Sequence, residues 1–189
     1  MIIAVVGMCG AGKSTLADIL REQGFGFLRI GQITLDIIKS LGQEPTEENE
    51  RPVRENLRKK HGMAAFVTLN MAKIEELYRK GHVVLDGVYS WEEFLELKKK
   101  YNDELLCLAV VASPKVRYER LQNRPFDYTT DIEMRNRPFT KEDAISRDYH
   151  EIETMNKGGP IAMADFTIVN EETKIELKKK VMKFLKSLS

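Results

Sequence analysis

The chain has 189 residues, 42% of them hydrophobic and 31% charged, with 30 basic residues balanced by 29 acidic ones. This composition excludes intrinsic disorder, and a chain of this length can fold as one domain without a disulfide or metal staple. The net charge of +1 excludes a field over the whole protein for nucleic acid or a membrane surface. The apolar start at 1–6 is too short for a signal peptide or a spanning helix, so we expect a cytoplasmic protein.

Five short apolar segments have the length and the β-branched content of buried strands. They lie at 2–6, 26–30, 82–86, 105–112 and 166–170. Between them, hydrophobic residues recur with the period of a helix. These stripes are Leu16/Ile19/Leu20, Val67/Met71/Ile74/Tyr78, Ile145/Tyr149/Ile152 and Leu177/Val181/Phe184/Leu185/Leu188. Strands that alternate with helices predict right-handed βαβ units in an α/β three-layer sandwich.

Two segments interrupt this alternation. Residues 42–62 are polar, contain two prolines and are helical only in part, which predicts an inserted helical arm. Residues 123–139 contain two Arg-Pro pairs, and proline disfavours helix in the residue before it. We therefore expect residues 123–139 to form an excursion between two helices.

A phosphate-binding pattern, G-x-x-x-x-G-K-[ST], lies directly after the first predicted strand and directly before the first predicted helix. It reads Gly7-Met8-Cys9-Gly10-Ala11-Gly12-Lys13-Ser14, and Thr15 follows it. Such a loop turns backbone N–H groups around a polyphosphate, and the next helix directs the positive end of its dipole at the same anion. We expect residues 7–15 to bind a nucleoside triphosphate, with Lys13 at the outer phosphates and Ser14 as a Mg²⁺ ligand.

An acidic residue, Asp86, ends the third predicted strand. In P-loop proteins an acid at the tip of a neighbouring strand holds the shell of the Mg²⁺ ion, which makes Asp86 a second metal candidate and a candidate catalytic residue. Strands also end in acidic residues for capping reasons alone, and this alternative stays open.

Arginine is concentrated in one part of the chain. Six of the twelve arginines lie between residues 117 and 147, where Lys141 is the single lysine. The planar guanidinium suits bidentate contact with phosphoryl oxygens, and Arg120 and Arg124 project together if they lie on a helix. Six acidic residues share this window, so ion pairing is the alternative for about half of these arginines.

The arm at 42–62 mixes basic residues with glutamates. A solvated helix with surface ion pairs is the favoured interpretation of this pattern. Arg54 and Arg58, which are four residues apart, are the weaker candidates for binding an anionic group of an acceptor.

With these residues in view, the chain resembles the nucleoside monophosphate kinase group of P-loop phosphotransferases, and most closely the kinases related to adenylate kinase and dephospho-CoA kinase. The resemblance spans nearly the whole chain and includes, besides the P-loop, residues 85–87, 119–124 and 164–170. It implies five parallel strands in the order 2-3-1-4-5 and a single kinase-like domain over 1–189. It also implies ATP or GTP with Mg²⁺ as the donor, a helical acceptor region at 31–80 and a lid at 123–139.

The resemblance implies roles for four arginines. Arg120 and Arg124 would clamp the donor phosphates, while Arg137 and Arg147 match arginines that stabilise the transferring phosphoryl group. Closure of the lid would exclude water, because hydrolysis of the donor is the competing reaction.

Two departures concern the acceptor. Adenylate kinases have an arginine shortly after the second strand, where this chain has Leu35. They have another in an Asp-Gly-x-Pro-Arg run, where this chain reads Asp86-Gly87-Val88-Tyr89-Ser90. Both arginines that hold the AMP phosphate are therefore replaced. The tip of the second strand also carries no acidic residue of the kind that dephospho-CoA kinases place near the attacking hydroxyl.

These features favour a phosphotransferase that acts on a small, nucleotide-like acceptor. One alternative is a nucleotide-binding switch, in which ATP binding and slow hydrolysis regulate a protein or RNA partner. A dephospho-CoA kinase-like enzyme is the other. Either a monomer or a homodimer is compatible with the sequence, and neither a membrane nor a nucleic acid is an expected partner of the enzyme.

Overall fold

The computed structural model describes residues 1–125, 131 and 139–188. In this part of the chain, five parallel strands form one sheet in the order β2-β3-β1-β4-β5, which confirms the predicted order. The strands are β1 Ile2–Val6, β2 Gly26–Arg29, β3 Val83–Asp86, β4 Leu105–Val111 and β5 Phe166–Val169. Four of the predicted strands are one residue longer than these, which is the usual error at the ends of elements.

Helices cover both faces of the sheet. Those among the described residues are α1 Lys13–Glu22, α2 Gln32–Ser40, α3 Glu47–His61, α4 Ala65–Lys80, α5 Trp91–Tyr101, α6 Pro114–Gln122, α7 Lys141–Glu153, α8 Gly158–Ala162 and α9 Lys174–Lys186, with a 3₁₀ turn at Asn102–Glu104. None of these helices combines the length and the apolarity that crossing a bilayer requires.

The sheet separates two apolar layers, because consecutive residues of a strand point to opposite faces. Ile2, Ala4 and Val6 of β1 pack into a cluster with residues of α4 and α5. Ile3 and Val5 pack into a second cluster with residues of α1 and α9. All five residues are completely buried. The result is the predicted three-layer sandwich, with β1 at its centre.

Side-chain caps determine where several helices begin. Ser90 and Glu93 form a capping box at the start of α5, and threonines cap α3, α7 and α9. The start of α1 is different, because it follows Gly12, which has no side chain that could cap it. The N–H groups of its first turn are therefore available to a ligand of the loop.

One predicted helical stripe is wrong. The spacing of Ile145, Tyr149 and Ile152 predicts a stripe on α7 that faces the core, but Tyr149 and Ile152 are 62% and 53% exposed. The buried face of α7 consists instead of Ala144, Arg147, Asp148 and Glu151. Three of these four residues are charged, because this face of α7 closes a polar cleft and meets charged partners on neighbouring elements.

Candidate functional site

The loop between β1 and α1 has a backbone that only glycines can form. Gly10 and Gly12 have φ angles of +80° and +104°, in the left-handed region. A Cβ atom at Gly10 would lie 2.7 Å from the carbonyl oxygen of Arg117, so the close approach of this backbone also requires glycine. The predicted order of strand, glycine loop and helix is present.

The ammonium group of Lys13 lies across this loop. Its Nζ donates hydrogen bonds to the carbonyl oxygens of Gly7, at 2.9 Å, and Met8, at 3.0 Å. Burial, together with the positive charge of Lys157, lowers the pKa of Lys13 to about 8. A bound polyanion would reverse this shift, because it favours the charged form of the lysine.

The sheet brings Ser14 and Asp86 together. β1 and β3 are adjacent and parallel, with Val5 opposite Asp86, so their carboxyl ends meet. The Ser14 hydroxyl donates a 2.8 Å hydrogen bond to the Asp86 carboxylate, and Asp86 is 2% exposed. A hydroxyl and a carboxylate suit Mg²⁺, which takes few protein ligands when phosphates supply others. The pair therefore fits a Mg²⁺ ion that binds together with a nucleotide.

A cleft of about 640 Å³ lies over the P-loop. This volume is within the range of about 300–1,000 Å³ that is typical of small-molecule sites. The predicted site residues that line it are Cys9, Gly10, Gly12, Lys13, Ser14, Thr15, Asp86, Arg120, Arg124 and Arg147. Arg137 lies outside the described residues, as does most of the predicted lid at 123–139.

Gly7, Met8 and Ala11 contribute through their backbones. The first two provide the carbonyl oxygens that hold Lys13. The carbonyl oxygen of Ala11 accepts a 2.8 Å hydrogen bond from the side chain of Asn170, which follows β5. These contacts fix the P-loop against the rest of the sheet edge.

Ion pairing is confirmed for Arg117, one of the six arginines between residues 117 and 147. Its Nη2 is 2.6 Å from the carboxylate of Asp148 on α7, and its Nη1 donates to the carbonyl oxygen of Cys9 at 3.0 Å. Arg117 and Asp148 are both buried. The pair fastens α6 and the P-loop to α7.

Arg120 contacts the segment that follows β5. Its Nη1 donates to the carbonyl oxygen of Asn170 at 2.8 Å, and its Nη2 donates to that of Glu172 at 3.0 Å. Arg120 therefore joins α6 to this segment on one side of the cleft. Arg124 also lines the cleft, but it lies beyond the end of α6 at Gln122, so the two arginines do not share one helix.

Glu151 holds two cations at the wall of the cleft. Its Oε1 accepts a 3.0 Å hydrogen bond from Nε of Arg147, and its Oε2 accepts one from Lys157. Lys157 is 1% exposed, and its ammonium lies 5.0 Å from the centre of the Tyr89 ring. Although burial raises the pKa of Glu151, Lys157 and Arg147 hold that pKa well below the ordinary range. One carboxylate thus positions two cations beside the P-loop.

A second, smaller pocket of about 30 Å³ adjoins the cleft. The residues that line both are Arg29, Tyr89, Arg147 and Glu151. Arg54 and Arg58 of α3 line the smaller pocket and are 9% and 8% exposed, so a solvated arm is the wrong interpretation for this face. The face is buried because α3 packs against α2 and α4, and Arg54 is compensated there by Glu50 at 3.0 Å.

Comparison with known proteins identifies the family. A model described as an AAA domain matches residues 3–139. A UPF0200 protein of Sulfurisphaera tokodaii is 34% identical over 189 residues, which is 99% of this chain and 97% of the relative. Another, from Thermococcus gammatolerans, is 34% identical over 183 residues, 96% of this chain and 92% of the relative. The chain belongs to the UPF0200 family. This family name specifies neither a reaction nor a substrate.

Solved structures with a similar fold include small-molecule kinases. A gluconokinase from Sinorhizobium meliloti has a TM-score of 0.57 and 17% identity, covering 98% of this chain and 91% of that one. A shikimate kinase from Acinetobacter baumannii, in complex with shikimate, has a TM-score of 0.57 and 18% identity, covering 100% and 94%. A shikimate kinase from Bacteroides thetaiotaomicron has a TM-score of 0.60 and 15% identity, covering 100% and 98%. These matches confirm the predicted P-loop kinase fold for this UPF0200 chain.

Sequence reasoning missed Tyr89, Glu151 and Lys157 as residues of the site. The sequence contains a signal that could have identified Glu151, because Arg147 and Glu151 lie one helical turn apart on the same face of α7. Lys157 precedes a Gly-Gly-Pro run and has no periodic pattern around it. Its position depends on the turn between α7 and α8, which brings it back to Glu151.

Proposed function

We propose that this protein is a Mg²⁺-dependent phosphotransferase that moves the γ-phosphoryl group of ATP or GTP to a small-molecule acceptor. One observation carries the proposal: the P-loop cleft and the pocket of α3 share a wall that contains Arg147 and Glu151. A nucleotide at the P-loop and an acceptor beside α3 would therefore face each other across a single buried guanidinium.

The donor side is assigned from the P-loop. Its N–H groups and Lys13 would hold the β- and γ-phosphates, and Ser14 with Asp86 would hold Mg²⁺, which neutralises phosphate charge when bound. Transfer forms a bond between an acceptor oxygen and the γ-phosphorus and breaks the bond to the β-phosphate oxygen. The acceptor hydroxyl releases its proton. Positioning and charge neutralisation supply the catalysis, without a covalent enzyme intermediate.

Positive side chains are assigned along the path of the phosphoryl group. Arg120 and Arg124 are assigned to the donor phosphates, and Arg137 and Arg147 to the group in transfer. We add Lys157, because it is buried in the same wall as Arg147. The acceptor region at 31–80 and the lid at 123–139 belong, in this proposal, to one kinase domain that spans 1–189.

A transfer experiment tests the reaction. Nucleoside triphosphate labelled at the γ-phosphate, either ATP or GTP, is incubated with the protein, Mg²⁺ and a small-molecule extract. We expect the label on a new small molecule, as the fold shared with gluconokinase and shikimate kinases supports. Label found only in inorganic phosphate would overturn the proposal and favour the nucleotide-dependent switch.

The Lys13→Ala variant tests the assignment of the donor site. Loss of one preorganised positive donor is expected to lower turnover about 10²–10³-fold while the melting curve stays close to that of the wild type. Lys178→Ala is the matched control, because Lys178 forms an exposed ion pair with Glu22, which lies at the end of α1 opposite to Lys13. Equal turnover in the two variants would contradict the assignment of the P-loop as the donor site.

A further inference from the structure

Arg58, in the smaller pocket, is a buried guanidinium without a direct ion pair among the described residues, although the carboxylates of Glu93 and Glu151 attract it from a longer distance. It is 8% exposed, and among the described residues it donates no hydrogen bond and forms no ion pair. Its cation lies 4.8 Å from the centre of the Phe66 ring. Burial of an unpaired charge is costly unless an anion compensates it, so this position is suited to an anionic ligand.

Two other arginines that line the pocket form ion pairs with glutamates. Arg54 bonds to Glu50 at 3.0 Å, and Arg147 bonds to Glu151 at 3.0 Å. Because Glu50 and Glu151 form ion pairs with other guanidiniums, and Glu93 attracts Arg58 without forming an ion pair with it, the Arg58 guanidinium is left without a carboxylate in direct contact. Four arginines and two glutamates line the pocket, so its lining carries more positive than negative charge.

A second unpartnered group lines the same pocket. The hydroxyl of Thr34 is buried without a hydrogen-bond partner among the described residues, and Thr34 is 2% exposed. A hydroxyl can donate to an anion whose other oxygen faces a guanidinium. Thr34 on α2 and Arg58 on α3 thus offer a neutral donor and a charged donor to the same small space.

The size of the pocket selects among anions. Its volume of about 30 Å³ corresponds to roughly two water-sized positions, since one water needs about 10–15 Å³ by this measure. A carboxylate presents two oxygens in a plane, whereas a phosphate monoester presents three in a tetrahedron. The planar group also matches the fork of a guanidinium.

We propose that this pocket binds a carboxylate of the acceptor, with Arg58 and Thr34 as its ligands. The rest of the acceptor extends past Arg147 into the cleft, where its hydroxyl meets the γ-phosphate. The acceptor class is then a hydroxycarboxylate rather than the nucleotide-like molecule expected from the resemblance. The identification of the bound molecule as an acceptor rests on the proposed function, but binding of a carboxylate to the pocket can be tested without turnover.

Carbon-13 formate is the probe for the site. It is titrated into the protein at constant ionic strength, balanced with sodium chloride, and the width of its NMR signal is measured. We expect saturable broadening with the wild type and a dissociation constant at least about tenfold higher in Arg58→Gln, because a charge-assisted hydrogen bond is lost. Lys59→Gln is the matched control, since Lys59 is the exposed neighbour on the same helix.

A further measurement and a second variant keep the outcomes distinct. Thermal stabilisation by Mg·ATP should be equal in the wild type, Arg58→Gln and Lys59→Gln, which shows that the variants fold and keep the donor site. If Arg58→Gln fails this check, Thr34→Val replaces it, and it should also weaken formate binding. Absence of saturable broadening, or equal affinity in a folded variant and the wild type, would overturn the inference.

Inorganic phosphate and acetate are compared as competitors of bound formate. Acetate should displace formate at a lower concentration than phosphate does. The reverse order would overturn the assignment of a carboxylate. Formate binding without transfer of label to any extract component would contradict the proposed function alone, whereas transfer of label without formate binding would contradict this inference alone.

Discussion

The proposed donor and acceptor sides of the cleft are built in different ways. The donor side depends on backbone, in a loop of eight consecutive residues whose glycines no other residue can replace. The acceptor side depends on charged side chains from α3 and α7, such as Arg147, whose Nη1 is 3.3 Å from Glu47, one hundred residues away. A site made by backbone can be recognised in a short motif. A site made by side chains depends on which helix faces meet.

The largest expected effect concerns Glu151, which joins the two sides. Glu151→Gln would leave Lys157 without its carboxylate and remove one of the two that hold Arg147. Because a buried cation is left uncompensated, we expect a loss of about 3–5 kcal/mol in the free energy of unfolding. The measurement is urea denaturation at pH 7.5. The loss in stability is obtained from the shift of the midpoint, provided that the dependence of the unfolding free energy on urea concentration has the same slope in both proteins.

Glu153→Gln is the control for this loss, since Glu153 is exposed on the same helix. It should change the free energy of unfolding by less than about 0.5 kcal/mol. Similar losses in both variants would mean that the buried charges of the acceptor side do not act as a network, and the contrast between the two sides would disappear.

A smaller effect, which depends on pH, concerns Glu93 at the start of α5. Burial raises the pKa of Glu93 to about 7, although a 2.7 Å hydrogen bond from the Tyr89 N–H lowers it in part. In the unfolded chain a glutamate titrates near 4.3. Between these values the folded state holds a proton that the unfolded state has released, so stability falls as pH rises and levels off above about 7.

Glu93→Gln removes this titration. Its free energy of unfolding relative to the wild type should rise between pH 4.5 and pH 8 by up to about 3 kcal/mol. Glu96→Gln, at an exposed position of α5, should show no such trend. Parallel pH profiles of Glu93→Gln and the wild type, measured by chemical denaturation, would show that this carboxyl is solvated like those on the surface.

The smallest expected effect concerns Ile152, which belongs to the wrongly predicted stripe of α7. Ile152→Ala should change the free energy of unfolding by less than about 0.5 kcal/mol, because its side chain is half exposed. Ile74→Ala, the same substitution in the correctly predicted stripe of α4, should cost about 2–5 kcal/mol, because Ile74 is completely buried. Comparable losses, measured by thermal unfolding, would show that Ile152 packs against the protein after all.

Several parts of the molecule followed from the sequence. The strands were predictable because each is a short apolar run, and the central strands β1 and β3 are buried on both faces as such runs predict, whereas three of the four residues of the edge strand β5 are exposed. The pairing of Ser14 with Asp86 was also predictable in kind, since the carboxyl ends of adjacent parallel strands meet at one edge.

The proposed acceptor side could not be predicted from the sequence in the same way. Helical periodicity assigns burial to apolar residues, and it therefore selected Ile152 rather than Glu151. A buried ion needs a partner, and the pairing of Arg147 on α7 with Glu47 on α3 becomes clear only when the two helices are seen together. Lys157 is the extreme case, because its burial depends on Tyr89, which is distant in sequence, and on a turn that brings it back to Glu151.

The shared position of Arg147 has an evolutionary consequence. Because this one guanidinium borders both cavities, a mutation there would alter the affinities for two ligands at once. Under the proposed function, lineages that change their acceptor would then retain Arg147 and diversify on α2 and α3, where Thr34 and Arg58 border the smaller cavity alone. Sequence divergence within the family should accordingly be greater at positions 34 and 58 than at position 147.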